Sequence, residues 1–151
     1  MTPRERQLSV IRREIPDRIS VDAICVDNQP QIADFLGIEP GKSCGNITQV
    51  LPDLIDIGMD VWETVQLHTL PMSPKQLKRE YGRHITFFGG INTQRLPFAT
   101  PEEVRSEVLE CIKILGRDSG YICGPDHHIK PDVSLENTVA LFDAAMGCAS
   151  N

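Results

Sequence analysis

From Asn46 onward the apolar residues of the chain alternate between two spacings. Stripes three or four residues apart, which line one face of a helix, give way to short runs rich in β-branched and aromatic residues, which make strands. Ile47, Val50, Leu51, Leu54 and Ile55 form the first stripe, with Asn46 placed to cap it and Gly58 past its end. Met59 to Val65 is the strand that follows. Ser73-Pro74 supplies a capping side chain and a first-turn proline for a helix over 75–81, closed by Gly82. Ile85 to Ile91 reads as a second strand ending in glycines. Thr100-Pro101-Glu102-Glu103 is a capping box that opens the clearest helix, striped by Val104, Val108, Leu109, Ile112 and Leu115 and ended by Gly116. Gly120 to Gly124 is a third strand, and Ser134 caps a last helix bearing Val139, Leu141, Phe142 and Met146.

The amino-terminal third is less regular. Residues 2–13 predict an amphipathic helix with Leu8, Val10 and Ile11 on one face, its Arg and Glu residues forming a solvated face, and Pro16 ends it. The alternation from Arg18 to Val26 predicts a short strand. Ile32, Phe35 and Leu36 make a weak helical stripe closed by Gly37, and the breaker-rich segment 39–46 reads as a loop. Strands alternating with helices argue for parallel βα units joined by right-handed crossovers. In such folds ligands bind beyond the carboxyl ends of the strands. That gathers Glu63 to Gln66, Gly89 to Gln94 and Cys123 to His128 around one mouth, and Cys44-Gly45-Asn46 joins them if a strand precedes it.

Composition narrows the class of partner. The chain has 151 residues, enough for one domain with a real core, and its 40% apolar and 24% charged content is that of a globular protein. A net charge of −6 argues against nucleic acid, whose binders concentrate Lys and Arg, and favours a small-molecule or protein partner. No run reaches the ~18 apolar residues of a membrane span, and the Met1-Thr2-Pro3-Arg4 start has no apolar signal core, so a cytoplasmic protein with no membrane partner is expected. Five cysteines, with no CxxC pair, suit reduced thiols rather than a disulfide framework.

The candidate chemistry lies in the mouth. A neutral imidazole at His127 and a thiolate at Cys44 are good zinc ligands, and a catalytic zinc takes three protein ligands with one open position. Taken singly, either residue is more often structural. Asp126 and His128 flank His127: a carboxylate commonly orients a ligating histidine, and solvated loop residues are the equal alternative. Gly89-Gly90-Ile91-Asn92-Thr93-Gln94 offers close backbone approach and amide hydrogen bonds to a substrate, although tight packing of strand into loop explains the glycines as well. Gly90, Asn92, Gln94 and Gln66 are the candidate substrate-binding residues; no catalytic residue stands out. Cys25, Cys111, Cys123 and Cys148 read as small apolar residues, and His68 and His84 as surface residues.

Several of these segments together resemble one family. Lys42-Ser43-Cys44-Gly45-Asn46, the run Ile85 to Gln94, Thr100-Pro101-Glu102-Glu103-Val104 and Pro125-Asp126-His127-His128-Ile129-Lys130-Pro131-Asp132-Val133 resemble the uroporphyrinogen decarboxylase superfamily, in particular its branch of corrinoid-linked, zinc-dependent methyltransferases. The opening from Arg4 to Asp22 is similar to the family's amino-terminal start. The resemblance implies a (β/α)8 TIM barrel, a fold that typically takes about 250 residues. The expectation is therefore one partial-barrel domain over 1–151 with an N-terminal helix and about three to four parallel βα units, in which a family-like start (1–40) meets family-like final units (42–147) and the central strands are missing. An unclosed barrel exposes two sheet edges and an apolar face, which implies a homo-oligomer or another partner.

The resemblance also implies zinc, a corrinoid carried by a partner protein, and methyl transfer to a thiol. The family's metal positions fall on Lys42, Cys44 and His127. Lys42 stands where the branch has a histidine, and a protonated ammonium is a poor ligand; Glu63 and His128 remain as candidates for a third. Asn92 stands where the family has Asp, and the arginine-rich segment with which porphyrinogen decarboxylases bind substrate carboxylates has no match. Weak or lost activity is expected, the alternative being a non-enzymatic partial-barrel fragment or subunit.

Overall fold

A computed structural model describes residues 3–12, 14, 20–21, 40–42 and 45–148. The expected weak helical stripe at Ile32, Phe35 and Leu36, as well as Cys25 and Cys44, lies outside the described residues. The elements in chain order are α1 (Pro3–Ile11), β1 (Ser20–Val21), β2 (Pro40–Lys42), α2 (Leu51–Asp56), β3 (Val61–Val65), a 3₁₀ turn (Leu67–Thr69), α3 (Pro74–Tyr81), β4 (Thr86–Ile91), α4 (Pro101–Leu115), β5 (Tyr121–Pro125) and α5 (Leu135–Gly147). Among the described residues no helix is long and apolar enough to cross a membrane.

The five strands make one sheet in the order β1-β5-β4-β3-β2, and every pairing is parallel. From β2 to β5 neighbours in space are neighbours in sequence, each joined through a helix, as consecutive βα units require. The exception is β1, which pairs with the last strand through Ser20↔Ile122 and Val21↔Cys123. A closed βα barrel has this property, because its first and last strands meet. The fold is thus an arc of a (β/α)8 barrel containing the seam, with four βα units after β1. Only residues 22–39 separate β1 from β2, whereas a single βαβ unit takes about 30 or more. The central units of a full barrel do not fit in that interval.

Alternation along the strands gives the sheet two faces. Trp62, Phe87, Tyr121 and Cys123 point to the helical side, where they meet Leu77, Val104, Val108, Leu115 and Leu141 in the main core. Val61, Phe88 and Ile122 point to the other side and form a smaller core with Val10 and Ile11 of α1. Helix α1 therefore roofs the concave face, and Val61, Phe88 and Ile122 are buried, unlike the exposed apolar face expected of an unclosed barrel. The two end strands, β1 and β2, have one neighbour each among the described residues.

Local chemistry sets the element ends. Ser73 and Thr100 accept from the backbone N–H of Gln76 and Glu103, whose side chains reach back in reciprocal capping boxes. Helix α2 departs from expectation: it starts at Leu51, after a turn in which Asn46 Oδ1 accepts from the backbone N–H of Thr48 at 3.1 Å. Pro52 explains the delay. It has no N–H and fits the first turn of a helix, but would break one begun at Ile47. Pro40–Lys42, expected to be loop, is a strand at the sheet edge, where proline is tolerated. In α4 the buried stripe is Val104, Val108, Cys111 and Leu115, and in α5 it is Ala140, Leu141, Ala144 and Ala145; Leu109, Val139 and Met146, expected inside, are exposed. The small alanines let α5 lie close against α4, which turns the bulkier neighbours outward.

Gly90 has φ +94°, and a Cβ there would lie 3.2 Å from the Tyr121 hydroxyl. Gly90→Ala is expected to destabilise the protein by about 1–3 kcal/mol, seen as a lower denaturation midpoint with unchanged secondary structure by circular dichroism.

Candidate functional site

Because all strands run the same way, their carboxyl ends share one rim, and the polar residues singled out in the sequence fall there. A strand does precede Cys44-Gly45-Asn46: β2 ends at Lys42. The loop it feeds is tied to the end of β3, for Gly45 N–H donates to Gln66 Oε1 at 2.8 Å. Gln66 is nearly buried, so one end of its side chain is committed to holding this loop. Its backbone carbonyl accepts from Thr69 Oγ1 at 2.8 Å, which fixes the 3₁₀ turn carrying His68.

At the end of β4, Gly89 and Gly90 both take positive φ, +109° and +94°, a region that glycine enters without steric penalty. The carbonyl of Gly89 accepts from the buried Tyr121 hydroxyl at 2.8 Å. Close packing of strand into loop thus has a direct structural basis. Asn92 Oδ1 accepts from Gln94 N–H at 3.0 Å, and Asn92 N–H donates to Glu107 Oε1 at 2.8 Å, so the residue organises the turn with its own polar groups. Gln94 is exposed.

Just past β5, which ends at Pro125, the side chains divide by exposure. Asp126 is completely buried, whereas His127 and His128 are exposed. Asp126 Oδ1 accepts from Thr93 N–H at 3.0 Å and Thr93 Oγ1 at 2.7 Å. Its Oδ2 lies 3.2 Å from His68 Nδ1. The contact is close, but the ring N–H is not aligned with the oxygen, and Oδ2 receives no hydrogen bond from the described residues. Asp126 is neither a solvated loop residue nor the group that orients His127. It links the ends of β3, β4 and β5 through His68, read from the sequence as a surface residue, and Thr93 of the Gly89-to-Gln94 loop. A pairing across 58 positions leaves no local pattern to read; the one signal was an acid directly after an apolar strand.

His127 Nδ1 accepts from the backbone N–H of His128 at 2.8 Å. Glu63, a candidate third ligand, is buried on β3. Among the described residues no three His, Cys, Asp or Glu side chains converge as a metal site. Cys44, the ligand expected to pair with His127, lies outside the described residues.

With this geometry in place, the comparisons with known proteins are consistent. The chain belongs to the uroporphyrinogen decarboxylase (URO-D) family, whose model matches residues 43–147. A curated uroporphyrinogen decarboxylase from Vesicomyosocius okutanii subsp. Calyptogena okutanii (strain HA) is 34% identical over 87 residues, covering 58% of this chain and 22% of the relative. A solved methyltransferase from Methanosarcina mazei superposes with a TM-score of 0.57 at 23% identity, over 78% of this chain and 33% of that one. The second likeness shows the shared fold. The chain spans about a fifth of the length of the first relative and a third of the second.

The buried thiols are not part of this chemistry. Burial pushes Cys111 and Cys123 up to about 12, and Cys148 is exposed. Since thiolate is the reactive form, iodoacetamide at neutral pH is expected to label Cys148 in the native protein and to reach Cys111 and Cys123 only after unfolding. The folded thiols hold their protons to higher pH than unfolded ones, whose usual value is 9.0, so stability is retained below that value and falls as pH rises toward about 12. A pH series of denaturation midpoints checks the sign.

Proposed function

We propose that the chain is a shortened member of the methyltransferase-like branch of the URO-D family, with weak activity or none of its own. The arc of five strands, with its first strand beside its last, carries this reading. It keeps the barrel seam and the carboxyl-end loops that would face a small-molecule substrate, while the strands that would complete the wall around them are not among the described residues. The likeness to the Methanosarcina mazei methyltransferase supports the choice of branch. In this reading Gly90, Asn92, Gln94 and Gln66 line the substrate side, with Gln66 and Asn92 acting chiefly through the loops they brace. A cytoplasmic location goes with it.

Zinc and a corrinoid-bearing partner protein come with the branch. In this chain a zinc site rests on Cys44 and His127 alone, and Lys42 removes the third ligand, so affinity is low. Metal analysis of the purified protein is expected to find well under one zinc per chain, less in Cys44→Ala and His127→Ala, and close to one in Lys42→His. Stoichiometric zinc that survives both alanine substitutions overturns the assignment.

The end strands favour a second reading, in which the chain is a non-enzymatic subunit. Strands β1 and β2 each present a row of backbone groups with no strand partner among the described residues, and such edges invite pairing with another chain. Light scattering coupled to size exclusion is expected to show a homo-oligomer at micromolar concentration. A monomer that unfolds in one cooperative transition excludes this reading.

A further inference from the structure

Helix α5 carries a second apolar face besides the one it packs inward. Leu135, Val139, Phe142 and Met146 follow one another at intervals of four, three and four residues, and at 3.6 residues per turn they lie within about 60° of one another. The helix turns Asn137, Ala140, Leu141, Ala144 and Ala145 inward, so the stripe occupies the opposite side. Leu135, Val139 and Met146 are 73%, 45% and 57% exposed, and Phe142 is half-buried. Phe98, 88% exposed, extends the patch. Asn137 Nδ2 donates to the carbonyls of Leu96 at 2.8 Å and Ala99 at 2.7 Å, which holds the Phe98 loop against the first turn of α5. Apolar surface gathered on one ridge marks an interaction site, unlike the same residues scattered singly.

The spacing fits another helix as the partner. A stripe that buries a helix in a globular core is wider, whereas a strict alternation of four and three is the seam of a coiled coil, here with Leu135 and Phe142 at d and Val139 and Met146 at a. A β-branched residue at a with leucine at d favours two parallel helices. Charge selects the same orientation. The e positions are Glu136 and Asp143, and the g positions are Thr138 and Ala145. Antiparallel copies would set e against e and gather four carboxylates, while parallel copies set each e against a neutral g. Arg105 of α4, 3.9 Å from Asp143, offsets that acid further. Because the stripe lies opposite the buried face, a two-fold axis along the ridge joins helix to helix without bringing the two sheets together. We propose that α5 docks in parallel on α5 of a second copy of this chain, through Leu135, Val139, Phe142 and Met146, with Phe98 closing the amino-terminal end. At about 150–250 Å² for each aromatic side chain, and less for the others, this surface approaches without exceeding the roughly 800 Å² per partner of a standard interface. The dimer is therefore concentration-dependent. Its surface is separate from the edges of β1 and β2 and does not rest on their pairing.

Sedimentation equilibrium of the full chain from low to high micromolar concentration tests both the surface and its orientation. The wild type is expected to pass from monomer to dimer. Val139→Glu and Met146→Glu are each expected to weaken the dimer about tenfold or more while leaving the far-ultraviolet circular dichroism unchanged. Ile57→Glu, at a site 81% exposed past the end of α2, is expected to leave the dimer as it is. Thr138→Lys puts a cation at g opposite the partner's Asp143, and is expected to tighten the dimer about twofold to tenfold through its two symmetric pairs. A dimer indifferent to Val139→Glu and Met146→Glu overturns this surface and leaves the edge strands as the contact. Equal loss in Ile57→Glu shows non-specific association and overturns it as well. A monomer at every concentration overturns the second copy as occupant and leaves the stripe to a partner of another kind. Thr138→Lys that leaves the dimer unchanged or weaker overturns the parallel orientation.

Discussion

The parallel pairing of β1 with β5 is the contact on which the arrangement of this chain depends. It places the first described strand against the last, so that the sheet contains the seam of a barrel whose other strands are not among the described residues. It also brings α1 over the concave face, where Val10 and Ile11 cover Val61, Phe88 and Ile122. Without that roof the buried inner face of β3, β4 and β5 would be open to water, at a cost of about 25 cal/mol for each Å² of apolar surface. The same parallel orientation brings every strand's carboxyl end to one rim, which is why His68, Thr93 and Asp126 meet although they come from three separate strand ends.

Much of this was legible in the sequence because the signals are local. The hydroxyls of Ser73, Thr100 and Ser134 ahead of apolar stripes marked helix starts that the structure reproduces, since a cap and its target N–H lie three residues apart. The strands β3, β4 and β5 were visible as short apolar runs between breakers. The register of the stripes was less so. Leu109 and Val139 are as apolar as their neighbours, and what turns them outward is the close approach of α4 to α5 across Ala140 and Ala144. Asn137 shows the same limit: its side-chain amide donates to the carbonyls of Leu96 and Ala99, 41 and 38 residues away, and sews α5 to the loop before α4.

The site divides along the same line. That Gln66, Gly90, Asn92, Gln94 and His127 fall at strand ends followed from the βα rhythm. What each of them touches did not. Asp126 was grouped with His127 because they are adjacent, yet the acid is buried where its neighbour is exposed, and it lies against a histidine from another βα unit. His68 carried no mark of its own, since a histidine in a turn is usually solvated. The described side chains lend the mouth a braced polar frame, and the chain spans about a fifth of the length of the uroporphyrinogen decarboxylase it matches.

The seam also imposes an order on folding. Ser119 Oγ reaches the carbonyl of Glu14 at 2.9 Å across 105 positions, and β1 pairs with a strand about as far along the chain. Contacts of such separation carry a large loop-closure cost and slow the step that makes them. The units from β3 to α5, by contrast, close through neighbours in sequence and can assemble by themselves. Helix α1 and strand β1 thus have nothing to dock on until β5 is in place, so the two ends of the chain join only after its middle has formed.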